Sequence, residues 1–147
     1  MKRVYALFMS LVLVLGISAC GSEEAITITF PFAATDVETV ESYYDNSGAE
    51  IQKKTITEKS DIDSLYTYFS ELSLRNKSSS DDGSTLKFVF NLADGTTYEL
   101  TYISVGTKTG RLQSETADFN YFTSSDVVGV WSNLSGETEQ IPSENVS

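Results

Sequence analysis

The 147-residue chain carries 21 acidic residues against 10 basic ones and no histidine, a formal net charge of −11. Nucleic acid is excluded as a partner, because its phosphates need lysine and arginine to neutralise them. The missing histidine excludes Ser-His-Asp and Cys-His catalysis, imidazole bases and His-ligated metals. A lone cysteine, Cys20, excludes an intrachain disulfide.

The chain opens on Lys2 and Arg3, then runs apolar from Val4 to Ala19 and reaches Ile17-Ser18-Ala19-Cys20. That run is 16 residues, short of the roughly 20 a spanning helix needs. Basic start, apolar stretch, small residues and cysteine, in that order, mark an export signal ending in a lipobox. Residues 1–20 resemble bacterial lipoprotein precursors. The resemblance implies a signal peptide over 1–19, cleavage before Cys20, a lipid thioether on its sulfur, and attachment to the outer face of a membrane. In a Gram-negative source that membrane would be the outer one. Cleavage would leave about 128 residues with 8 basic and 21 acidic side chains, a formal charge of −13. Such a body is expected to repel anionic headgroups and stand off the bilayer, held by its lipid.

Residues 20–25 read as a short lipidated linker, and 136–147 as a flexible acidic tail with little to bury. A single domain is expected over 26–135, large enough to enclose a core. Ile26 to Phe30 alternates apolar and polar residues, predicting a strand limited by Pro31. Val37 to Asp45 and Ile51 to Thr57 flank the turn signal Asn46-Ser47-Gly48 and predict a hairpin. Ser60 with Asp63 reads as a capping box. Ile62, Leu65, Tyr66, Phe69 and Leu72 then form one apolar helical stripe, with Arg75 and Lys77 beyond its end.

Leu86, Phe88 and Phe90 alternate, as do Tyr98, Leu100 and Tyr102, across the turn Ala93-Asp94-Gly95-Thr96. Asp-Gly between two such runs is a strong hairpin signal. Arg111 to Phe122 predicts one last strand, and Thr123 to Asp126 can cap a helix whose face carries Val127, Val130, Trp131 and Leu134. The expected fold class is α+β: a largely antiparallel sheet of five to six strands, ordered β-β-β-α-β-β-β-α, with two helices on one face.

The segments Ile28-Thr29-Phe30-Pro31-Phe32, Asp36 to Glu41, Lys54-Thr55-Ile56-Thr57, Asp61-Ile62, Phe90 to Thr96 and Tyr121 to Asp126 together look like a group of small lipoproteins of Gram-positive gut-type bacteria. The similarity covers most of 26–134. It implies an anchor and one intact domain, and it carries over no active site.

Lipidation consumes the Cys20 thiol, so the chemistry left is that of carboxylates, Ser/Lys pairs, tyrosine and arginine. Asp61 and Asp63 read as helix-start acids, Asp81-Asp82-Gly83-Ser84 as a solvated loop, and Asp94-Gly95-Thr96 as hairpin geometry. No metal and no cofactor is expected. A Ser/Lys dyad on Lys53, Lys54 or Lys59 has no supporting motif. The aromatic residues exceed what a small core needs, and Tyr68, Phe119 and Tyr121 form the candidate binding patch. The expected role is a non-enzymatic binding or accessory domain of the cell envelope, with a protein or glycan partner. The alternatives are a small carboxylate-dependent hydrolase of cell-wall or glycan substrate, and an adaptor that captures peptides at a sheet edge.

Overall fold

Side chains at period two point to opposite faces of a strand, so each alternating run commits one face to the core. The computed structural model describes residues 24–46, 48 and 50–145. Among them are seven strands: β1 (Val37–Asp45), β2 (Glu50–Ile56), β3 (Thr85–Leu92), β4 (Thr97–Gly106), β5 (Thr109–Ser114), β6 (Phe119–Thr123) and β7 (Thr138–Pro142). They form one sheet in the order β6-β5-β4-β3-β1-β2-β7, every pairing antiparallel. Two helices, α1 (Lys59–Glu71) and α2 (Val127–Ser132), complete a sheet-rich α+β domain.

The register sets the core. Val40, Phe90 and Tyr98 form one cross-strand row; Ser42, Phe88 and Leu100 form the next; Tyr44, Leu86, Tyr102 and Leu112 form a third. Against this face α1 buries Ile62, Leu65 and Phe69. Phe69 is fully buried, its ring 5.1 Å from that of Phe88 and 6.4 Å from that of Phe90. Truncating so central a ring costs about 3–5 kcal/mol in comparable cores. Gly110 faces the ring of Tyr102, where an added Cβ would fall 2.4 Å from ring carbons, so β5 needs glycine there.

Several expectations are corrected. Ile26 to Phe30 is extended and buries Ile28 and Phe30, but it pairs only through Ile26 with Leu74. Alternation reports burial, and here the buried rings pack on α1, Phe30 lying 4.8 Å from Tyr66, without a ladder. The predicted strand 111–122 is two strands. Ser114 Oγ accepts from the Ala117 N–H (3.2 Å) and Asp118 takes a left-handed conformation (φ 53°), which turns the chain. The helix starts earlier than the capping box implies: Glu58 is its N-cap with no side-chain bond, and Asp61 accepts from the Ser135 N–H (2.9 Å) and hydroxyl instead. Arg75, beyond the helix end, also pairs by its backbone with Phe122 on β6. Trp131 meets Tyr44 of β1, their ring centroids 5.0 Å apart.

The expected tail is the largest correction. Thr138–Pro142 is β7, paired with β2 from Glu50↔Pro142 to Lys54↔Thr138. Its side chains are mostly exposed, so burial gave no sign of it; backbone pairing and the contact of Ile141 beside Ile51 hold it. The folded body therefore extends past residue 135.

Lys54 explains how the chain reaches β7. It lies on the core face of β2 and is only 6% exposed. Its ammonium donates to the carbonyls of Trp131 (3.0 Å), Ser132 (3.3 Å) and Leu134 (3.4 Å), and lies 4.5 Å from the Trp131 ring centroid. Those carbonyls end α2, where a cation complements the helix dipole. Trp131 Nε1 donates to Ser42 Oγ (2.8 Å), so β1, β2 and α2 meet in one buried polar cluster. Desolvation lowers the Lys54 pKa from its ordinary value.

Ending the chain after Ser135 removes β7 and exposes Ile51 and the outer edge of β2. Stability should fall by roughly 2 kcal/mol, the scale of burying one isoleucine, and the open edge should promote self-association. Urea unfolding and sedimentation would show both effects; an unchanged midpoint would mean that β7 contributes nothing.

Candidate functional site

The candidate patch is split by the fold. Phe119 and Tyr121 share the core-side face of β6, opposite Ser114 and Leu112, and their rings stack at 5.7 Å and 10°. Tyr68 projects from α1, and its recorded ring contact is with Phe69 at 5.4 Å. All three are half-buried and packed against the core. Among the described residues no ring contact joins Tyr68 to the other two. Cys20 lies outside the described residues.

The Tyr68 hydroxyl, like that of Tyr98, is buried without a hydrogen-bond partner among the described residues, although Ser125 is near enough to Tyr68 to moderate its acidity. Burial raises its pKa to about 12, aided by Tyr102 and Asp126. Tyr102 is likewise raised to about 12 by burial, and Tyr98 is raised for the same reason. These phenols behave as core groups.

The lysines considered for a dyad are each occupied. Lys59 Nζ donates to the Val37 carbonyl (3.1 Å) and Lys53 pairs with Glu41 (2.9 Å). Lys54 serves the end of α2, and the serine beside it, Ser42, is fully buried, so no substrate reaches that pair. The sheet face opposite the helices instead carries charge pairs. Tyr43 stands directly across from both Lys53 and Lys87, and Lys87 pairs with Glu99 (2.9 Å).

Sequence reasoning missed one juxtaposition of acids. Asp36 and Asp94 line a common cavity of about 470 Å³ with Pro31, Phe32, Leu92, Ala93 and Thr96. Asp36 Oδ2 accepts from the Ala33 N–H (2.9 Å), and Asp94 Oδ1 accepts from the Thr96 N–H (2.9 Å) and hydroxyl (2.6 Å). Both carboxylates thus hold turns, and the Thr96 bonds lower the Asp94 pKa. Distance along the chain hid the pair, since only the register of β1 on β3 brings Asp36 to Ala93. Among the described residues no three His, Cys, Asp or Glu side chains converge as metal ligands would, and no helix is long and apolar enough to cross a membrane.

No family model, curated protein or solved structure matches the chain.

The raised phenols predict the alkaline behaviour. The folded state keeps their protons above pH 10 while the unfolded chain releases them. Stability from Tyr68 and Tyr102 is therefore complete below about pH 10 and lost as pH rises towards about 12. Lys54 acts with the opposite sign but is a single group. Tyrosinate absorbance should show three late-titrating phenols whose ionisation coincides with loss of circular dichroism. Tyr68→Phe, which removes an unpaired buried hydroxyl, should leave stability at pH 7 unchanged or raise it by about 1 kcal/mol. Free titration of all tyrosines near pH 10 in the folded chain would contradict the assignment.

Proposed function

We propose that the chain is a protein lipid-anchored to the outer face of the cell membrane, whose domain binds or accompanies a component of the cell envelope without acting as an enzyme. The observation that carries the anchor is the order of residues 1–20, closing on Ile17-Ser18-Ala19-Cys20. The fold supports it in one respect. Chain order puts folded structure just after the linker, since Ile26 exchanges both backbone hydrogen bonds with Leu74 (2.8 and 2.9 Å). The linker is thus too short to let the body roam.

The acids favour binding over hydrolysis. A glycosidase needs one carboxyl with a raised pKa as its general acid. Among the described residues, each carboxyl with a displaced pKa is displaced downward: Glu41 by Lys53, Asp61 by Ser135 and Asp94 by Thr96. Asp45 and Asp126 likewise accept from the backbone of Gly48 (2.7 Å) and Gly129 (2.9 Å). Asp45 and Asp94 hold turns, Asp126 caps α2, Asp61 tethers Ser135 and Glu41 pairs with Lys53. The partner class is an envelope protein or a glycan.

Mass analysis of the processed protein should find an N-terminal peptide that begins at Cys20 and carries lipid mass, and Cys20→Ala should lose that mass and its partition into detergent. An unmodified cysteine would remove the anchor. Incubated with isolated cell-wall glycan, the lipidated protein should release no new reducing ends; sustained release would replace the binding reading with the hydrolytic one.

A further inference from the structure

We infer that the β6 edge of the domain is a membrane-docking surface that takes the phosphate headgroups of an anionic bilayer, an inference that rests on the lipid-anchored reading above. The distribution of charge carries it. Segments 72–77, 106–111 and 119–124 contain four basic residues, Arg75, Lys77, Lys108 and Arg111, and no acidic one. The rest of the chain after residue 19 has the other 4 basic residues and all 21 acids.

The three segments are neighbours in space. Gly110 and Arg111 pair with Thr123 and Phe122 across β5 and β6, and Phe122 exchanges both backbone bonds with Arg75 (2.8 and 2.9 Å). The Lys77 ammonium lies 4.8 Å from the centroid of the Phe122 ring, and Arg111 Nη1 donates to the Lys77 carbonyl (2.7 Å). Lys77 thus stands over the Phe122 ring, Arg75 and Arg111 lie on the backbones paired to either side of Phe122, and Lys108 is in the adjoining β4–β5 turn. Arg111 is partly offset by Asp81 at 3.5 Å. Arg75, Lys77 and Lys108 are exposed.

The anchor delivers this edge to the headgroups. Ile26 is bonded to Leu74, the residue before Arg75. Six Cα steps separate it from Cys20, at most about 20 Å of chain. Glu23 and Glu24 in the linker and exposed Asp82 beside Asp81 subtract from the attraction, so docking depends on the placement of the three exposed cations at the edge and not on an excess of charge. Screening confines a surface field to about 10 Å, so the docked edge feels it while most of the acidic body does not. A net charge that argues for standing off the bilayer instead orients the domain, basic edge down.

The test uses the lipidated protein reconstituted in phosphatidylglycerol or in phosphatidylcholine vesicles, with its lysines labelled by a membrane-impermeant amine reagent and read residue by residue. Lys77 and Lys108 should react about fivefold more slowly on the anionic vesicles, the scale of one basic side chain's attraction, and Lys53 and Lys87 equally on both. High salt or Arg75→Glu should reduce the difference. Equal rates at Lys77 and Lys108, or equal slowing at all four lysines, would overturn the docking edge. A first peptide without lipid in the same digest would overturn the anchored reading itself, and with it this inference.

Discussion

Lys54 lies on β2 in the row that continues as Ser42, Phe88 and Leu100, so its ammonium must leave water for that strand to face the core. Removing a charge from water costs several kcal/mol unless it is well partnered. Here three carbonyls at the end of α2 and the face of Trp131 take the place of water. The consequence is directional. A helix of six residues cannot hold itself, and the buried cation fixes where it stops. From Leu134 the chain turns through Gly136, whose backbone (φ 109°) passes close to the Thr55 carbonyl, and enters β7 on the far side of β2. One side chain thus couples β2, α2 and the closing strand.

That arrangement divides the molecule into surfaces with different uses. The helix-covered face holds the aromatic core, in which Phe30, Phe32, Tyr66, Phe90 and Tyr98 meet ring to ring. Asp36, Asp45 and Asp94 hold turns, and Asp126 caps α2. The opposite sheet face ties its lysines to glutamates, Lys53 to Glu41 and Lys87 to Glu99. Lys54 and Lys59 bind backbone carbonyls, and the remaining basic residues of the described region, Arg75, Lys77, Lys108 and the Asp81-paired Arg111, collect at the β6 edge, beside the point where the linker joins the body. On the proposed lipid-anchored reading, this placement turns the β6 edge towards the bilayer and the helix side away from it.

Much of this could be read from the sequence where a residue's spacing and its burial agree. Asp94-Gly95 between alternating runs located the β3–β4 hairpin, and the spacing of Ile62, Leu65 and Phe69 located α1. The failures share a cause: patterns report burial, not pairing. Ile26 to Phe30 alternates yet forms no ladder, and Thr138 to Pro142 pairs yet scarcely alternates. The turn at Ala117-Asp118 has neither glycine nor proline to announce it, because a serine side chain and a left-handed aspartate make it. At the candidate site, Phe119 and Tyr121 stack on one face of β6, while Tyr68 packs against the core from α1, a separation in space that their positions along the chain do not reveal. Lys54 was invisible as a structural group, since beside Lys53 it reads as one of two surface charges.

The claim that Lys54 couples α2 to the closing strand is tested most directly by amide hydrogen exchange on Lys54→Met, a substitution that keeps an apolar chain of similar length. The account predicts exchange about tenfold or more faster across 127–142, as expected when a local unit loses its tie, with β3 and β4 protected as in the parent. Unchanged exchange over 127–142, or equal acceleration across the whole sheet, would contradict it.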